Sequence, residues 1–122
     1  GSDRVLERLG RGHTVADAVL AVELARDHGL IPVVDLILGF PFETAEDEAA
    51  TLDLVRWVVR SGHVRLHAFI PLPGTPLASA RPRPPSPRGE RLLGRLALAG
   101  KLSGRWKDPG IRFSGPRADT PP

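Results

Sequence analysis

The sequence predicts an α/β domain with parallel strands. Three observations carry this. Residues 32–38 form an apolar, β-branched run of strand length, and residues 64–70 form a second. Between them lies a segment of helical period, long enough to return the chain for parallel pairing. The three together make a βαβ unit whose crossover is expected to be right-handed.

The elements follow in order. "DRVLERL" (3–9) reads as a short helix, with Asp3 suited to its first turn and Gly10 to its end. "GRGHT" is a loop. Thr14 and Asp17 resemble a capping box, with Asp in place of Glu. The helix "VADAVLAVELARDHG" follows, with Val15, Val19 and Val22 at helical spacing and Gly29 as its left-handed cap. Pro32–Leu38 suits a strand buried on both faces. Thr44 and Asp47 resemble a second capping box, and the helix behind it carries Leu52, Val55, Val58 and Val59 on one side. "VRLHAFI" (64–70) is the second strand. The three prolines of "PLPGTPL" (71–77) forbid regular structure. Residues 78–87, rich in Pro and Arg, read as an exposed extended connector. A last helix is expected over 88–106, built on Leu92, Leu93, Leu96 and Leu98 and weakened by Gly94 and Gly100. Residues 107–122 lack periodicity and read as a disordered tail.

Two parallel strands do not make a sheet covered on both faces. Either sheet edges join between copies, or further strands lie upstream. The second is the simpler expectation, and the lack of any methionine in a chain starting "GSDRV" agrees with it.

Bulk properties narrow the function. At 122 residues, 41% hydrophobic and 25% charged, the chain has the balance of a soluble globular protein. No apolar run is long enough for a membrane span, and the start has no signal-peptide pattern, so a cytoplasmic location is the expectation. Cysteine is absent, which excludes disulfides and thiolate metal sites within the chain. The net charge of +3 rests almost wholly on arginine. Arginine binds phosphate well. Spread along the chain, and with no tyrosine to stack on bases, it reads first as compositional bias.

Alternation along the strands sorts their faces. Val34, Leu36 and Leu38 share one face with an aliphatic character, as do Val64, Leu66, Ala68 and Ile70. Those faces should meet helices. The opposite faces carry Val33, Asp35 and Ile37, and Arg65, His67 and Phe69. A carboxylate at Asp35, inside an aliphatic strand, is costly without a partner. It is either a structural acceptor of backbone hydrogen bonds or a group held for a ligand hydroxyl or amine. A Gly-Phe-Pro turn follows at once, which favours the ligand. Arg65 and His67 are candidate pocket liners. His63 and His67 share a face but lack a third ligand, so no metal site is assigned.

Three segments carry a resemblance. "GSDRVLERLGRGHT" (1–14), "DLILGFPFETAEDEAATLDLV" (35–55) and "FIPLPGTPL" (69–77) lie in the order and spacing found in radical S-adenosylmethionine (radical SAM) enzymes. The chain most resembles the branch containing methylthiotransferases, coproporphyrinogen dehydrogenase-like proteins and enzymes with a cobalamin-binding domain. "PLPGTP" followed by "LLGRLALAGKLSGRW" leans toward the last type. The resemblance covers about residues 1–106.

This resemblance implies the C-terminal part of a partial (β/α)6 TIM-like barrel, with 32–38 as its fifth strand and 64–70 as its sixth. It implies S-adenosylmethionine and a [4Fe-4S] cluster as cofactors, with cobalamin an added expectation for the full-length protein. The cluster's cysteine ligands would belong to an upstream part of the same protein. Asp35 matches an acidic residue facing the cofactor's ribose or polar end. Ile37 matches the residue packed on adenine, and Gly39 a glycine allowing close approach to the ring. Arg11 matches an arginine that meets the methionine carboxylate, and Ser2 a small polar residue near the ribose. Phe42 departs from the family turn, where a second glycine is usual. If that position needs positive φ, Phe42 strains or moves the turn. The substrate, whether small molecule, RNA or protein, is not implied. Two other readings stand beside this one: a non-enzymatic basic module that binds RNA or protein, and a degenerate barrel fragment kept as a scaffold.

Overall fold

The structure, a computed structural model, describes residues 1–107. Its elements are α1 (Asp3–Arg8), α2 (Val15–Asp27), β1 (Val33–Leu38), α3 (Ala45–Val58), β2 (His63–Ala68), α4 (Pro87–Leu98) and β3 (Leu102–Ser103). The sheet order is β1-β2-β3, and both pairings are parallel. In the β1–β2 register Val33 meets His63, Asp35 meets Arg65 and Ile37 meets His67. The βαβ unit read from the sequence is therefore present. The sheet supports a mixed α/β fold; a closed barrel is not formed by these residues.

Local chemistry starts the helices where the sequence expected. Thr14 accepts from the Asp17 amide while the Asp17 carboxylate accepts from the Thr14 amide. Thr44 and Asp47 repeat this reciprocal cap. Each satisfies two backbone donors that a helix start leaves unpaired.

The aliphatic strand faces meet the helices. Val64 and Leu66 are wholly buried, and Leu38 nearly so, against Val55, Val58, Leu92 and Leu93. Arg26 of α2 lies over the Trp57 ring of α3 at 4.4 Å and donates to the Trp57 carbonyl at 3.3 Å, which ties α2 to α3. A second cluster joins Val5, Phe40 and Phe69 at the end of the sheet that the strands leave.

Several expectations are corrected. β1 is not buried on both faces: Val33, Asp35 and Ile37 are exposed, because the core helices pack on the other face. β2 spans His63–Ala68 rather than 64–70, although Phe69 still donates to the Leu38 carbonyl at 2.7 Å. The last helix stops at Leu98 instead of filling 88–106. Gly100, at φ 75°, turns the chain, and Leu102 then pairs with Val64 as a third strand. That strand leaves Leu102 and Trp106 buried. The connector is not wholly a free spacer, for Ser86 donates its amide to Glu48 at 2.8 Å and Arg83 reaches the same carboxylate at 3.4 Å. Of the tail expected over 107–122, all but Lys107 lies outside the described residues.

Candidate cofactor-binding cleft

The free edge of β1 and the segment running from Gly1 through α1 into α2 enclose a cleft of about 270 Å³. That is just short of the roughly 300–1,000 Å³ of a complete small-molecule site. Ser2, Arg11, Asp35, Ile37 and His67 all line it, together with His13 and an apolar wall that includes Leu9, Val15, Leu36 and Leu54. Residues from the two ends of the first 67 positions are thus brought to one place. Arg65 and Gly39 are not in the lining.

Asp35 has a partner. Arg65 faces it across the β1–β2 register and donates to both carboxylate oxygens, at 2.6 and 2.7 Å. Both side chains are more than half exposed. The hydrogen bonds from Arg65 hold the Asp35 carboxyl below its usual value, so it is ionised at neutral pH. Its remaining lone pairs can still accept from a ligand hydroxyl, because two N–H donors fill only half of a carboxylate's acceptor capacity.

Ser2 is buried and engaged. Its hydroxyl donates to Asp47 at 2.7 Å and accepts from the Val5 amide at 3.4 Å as the cap of α1. Arg4 closes on the same Asp47 carboxylate through Nε at 3.1 Å and through Nη2. Thr44 donates to it from its amide at 2.8 Å. These donors, Arg4 foremost, hold the Asp47 carboxyl far below the ordinary range. Asp47 therefore fastens the start of α1 to the start of α3, and so fixes one wall of the cleft. Sequence reasoning assigned Asp47 only its capping role. Nothing local in the sequence marks its contact with Ser2 and Arg4.

Gly39 does take the left-handed backbone, at φ 92°. The close approach it permits is to the connector, for a Cβ there would meet the Arg83 carbonyl oxygen at 2.8 Å. Its amide donates to Glu43 at 3.0 Å, and its carbonyl accepts from the Arg83 amide at 2.9 Å. Glu43 thus closes the Gly-Phe-Pro turn rather than capping α3. Burial pushes its carboxyl above the usual value, against the opposing pull of the Gly39 and Phe40 amides. Phe42 fits without strain: no non-glycine among the described residues has positive φ. Its ring stacks on Phe40, 5.6 Å between centroids, and lies 4.5 Å beneath the Arg8 guanidinium.

Comparison with known proteins points the same way as the resemblance. A family model of the radical SAM superfamily matches residues 1–55. Threonylcarbamoyladenosine tRNA methylthiotransferase MtaB of Thermotoga maritima is 37% identical over 116 residues, which cover 93% of this chain and 25% of that protein. Over its first 55 residues the chain is thus similar to the radical SAM superfamily. Its similarity lies on the methylthiotransferase side. The tRNA-2-methylthio-N(6)-dimethylallyladenosine synthase of a Ruegeria species is 40% identical over 95 residues, 75% of this chain and 21% of that protein. The synthase of the same name from a Sulfurihydrogenibium species is 37% identical over 82 residues, 64% of this chain and 18% of that protein. The chain thus spans a quarter or less of the length of these relatives. No solved structure matches it.

Proposed function

We propose that this chain forms one wall of the S-adenosylmethionine pocket of a radical SAM enzyme that methylthiolates an adenosine of tRNA. The observation that carries the reading is the meeting of Arg11 and Asp35 on one cleft, in a chain similar to this superfamily. The cofactor is zwitterionic at its methionine end and carries hydroxyls on its ribose. A cleft offering a guanidinium, an ionised carboxylate and an aliphatic wall has groups of the right kinds for each part. Arg11 takes the methionine carboxylate through a charge-assisted bond. Asp35, held in place by Arg65, accepts from the ribose. Ile37 packs on the base. Ser2 shapes the wall through its place above Asp47, and Gly39 acts through the turn it allows. Arg65 positions Asp35, and His67 lies on the substrate side.

The relatives' names supply the reaction and the tRNA. They contain no cobalamin, and that group is not part of the reading. A [4Fe-4S] cluster, which gives the superfamily its electron for cofactor cleavage, does not fit this chain alone, because it has no cysteine to ligate iron. An upstream part of the same protein holds those ligands in this proposal. No step of the chemistry is assigned to residues here.

The test is binding of S-adenosylhomocysteine to the full-length protein by calorimetry. Arg11→Ala and Asp35→Asn should each weaken it about 10- to 100-fold, the worth of a hydrogen bond to a charged group. Unchanged affinity in both variants would sink the assignment of the cleft.

A further inference from the structure

The charges of this chain are sorted along its length. Residues 1–60 carry eleven acidic and six basic side chains, a net of −5. Residues 61–107 carry nine basic side chains and one acid, a net of +8. Compositional bias toward arginine does not explain this, since it would not thin the acids from residues 61–107.

The structure shows where the surplus goes. Arg65 is engaged by Asp35, Arg83 by Glu48, and Lys107 by Glu90 at 3.7 Å. On α4, Arg88, Arg91 and Arg95 recur at helical spacing along one exposed flank, beside the buried stripe of Gly89, Leu92 and Leu93. None of the three pairs with a carboxylate among the described residues. Lys101 follows in the turn after the helix and is also exposed. Like charges in adjacent turns repel by a few tenths of a kcal/mol per pair, so the row costs stability rather than adding it. Contrast α3, where exposed Arg56 is answered by Asp53.

The row also has a defined place. Ser86, the cap of α4, bonds Glu48 in the first turn of α3, and α3 follows β1 through the turn of residues 39–44. The row therefore starts at the end of the sheet from which β1 leaves, the end where α/β folds bind ligands.

We infer that Arg88, Arg91 and Arg95 of α4, with Lys101 behind them, form a docking surface for the phosphate backbone of an RNA. Charge complementarity selects a polyanion, and spaced guanidinium forks match phosphates. The choice of RNA among polyanions rests on the functional reading above, through the tRNA in the relatives' names. The surface holds the backbone and reads no base, because arginines without an aromatic neighbour position a strand rather than identify it.

The experiment uses the full-length protein and an unmodified tRNA transcript, with affinity measured across a salt series. The triple variant Arg88→Ala/Arg91→Ala/Arg95→Ala should bind at least about tenfold more weakly near 100 mM salt, with the log–log salt slope reduced by about 2–3 for three lost phosphate contacts. The triple Arg→Lys variant should keep most of the slope. Arg56→Ala/Arg60→Ala should change neither. A melting curve on each variant separates misfolding from lost contacts. S-adenosylhomocysteine affinity, measured on the same preparations, should be unchanged by the α4 variants. Wild-type affinity and slope in the triple Ala variant overturn the surface. So does binding of polyglutamate, but not tRNA, which would give the row to an acidic protein. Loss of tRNA binding in the α4 variant, together with a wild-type protein that binds tRNA but no S-adenosylhomocysteine, upholds the surface and defeats the functional reading instead.

Discussion

Asp35 and Arg65 stand opposite each other on adjacent parallel strands, and one guanidinium holds both oxygens of one carboxylate at 2.6 and 2.7 Å. The pair is open to solvent, where Coulomb attraction is screened and ordering two side chains offsets much of the gain. Its worth therefore lies in fixing the direction of Asp35 rather than in holding the fold. Asp35→Asn and Arg65→Ala should leave the midpoint of urea unfolding unchanged within error. Arg65→Lys should leave it unchanged too, yet loosen the carboxylate, because an ammonium cannot hold two oxygens in a plane. A large drop in midpoint for any of the three would show the pair to be structural.

Asp47 should behave in the opposite way. It is buried, with Ser2, Arg4 and Thr44 around it. Asp47→Ala removes a helix cap and strands Ser2, and should destabilise by about 2 kcal/mol or more. Ser2→Ala should cost about 1 kcal/mol. The double variant should cost less than the sum, since both remove the same contact. Because the folded carboxyl titrates far below its unfolded value, its contribution is complete above about pH 4 and is lost as pH falls through the folded value. Asp47→Asn should flatten the acid limb of a stability–pH curve. An acid limb as steep as wild type would mean other carboxyls set it.

Glu43 has the reverse sign. Burial raises its folded value above the unfolded one, so stability is highest below the ordinary glutamate range and declines as pH rises through the raised value. Glu43→Gln keeps an acceptor for the Gly39 amide and has no charge to bury. It should match or exceed wild-type stability at pH 7 and lose that decline. A marked destabilisation at pH 7 would show that the ionised form is needed to close the turn.

Two glycines should respond in opposite directions to the same change. Gly104, at φ 106°, lies where a Cβ would strike the Leu66 carbonyl at the β2–β3 seam. Gly104→Ala should cost more than about 2 kcal/mol, from left-handed strain plus the lost approach. Gly94 sits within α4 with nothing near its missing Cβ. Gly94→Ala should add about 0.5–1 kcal/mol. Thermal melts of the two single variants check both.

Much of the fold was legible because its signals are local. The Thr14–Asp17 and Thr44–Asp47 caps, the aliphatic face of Val34, Leu36 and Leu38, and the turn at Gly29 each depend on neighbours a few residues away. Leu102 was missed as a strand because two residues carry no periodicity; it pairs only because Gly100 turns the chain back beside Val64. Arg65 as the partner of Asp35 could have been found only with the second strand started one residue earlier. The sequence starts it at Val64, whereas pairing from Val33 and His63 places the two residues opposite each other. The partners of Asp47 could not, since Ser2 and Arg4 lie more than forty positions away. The open face of β1 was also hidden, because a strand written in aliphatic residues looks the same whether one or both faces find cover.

The exposed flank of β1 bears on how this polypeptide can be handled. Among the described residues no strand pairs with its outer rim, beside Val33 and Ile37, both well exposed. Such a rim invites another extended chain to zip onto it. Expressed by itself, the polypeptide should form concentration-dependent oligomers that grow by added strands. Joined to a neighbouring strand that seals the rim, the same residues should give a monodisperse, crystallisable protein.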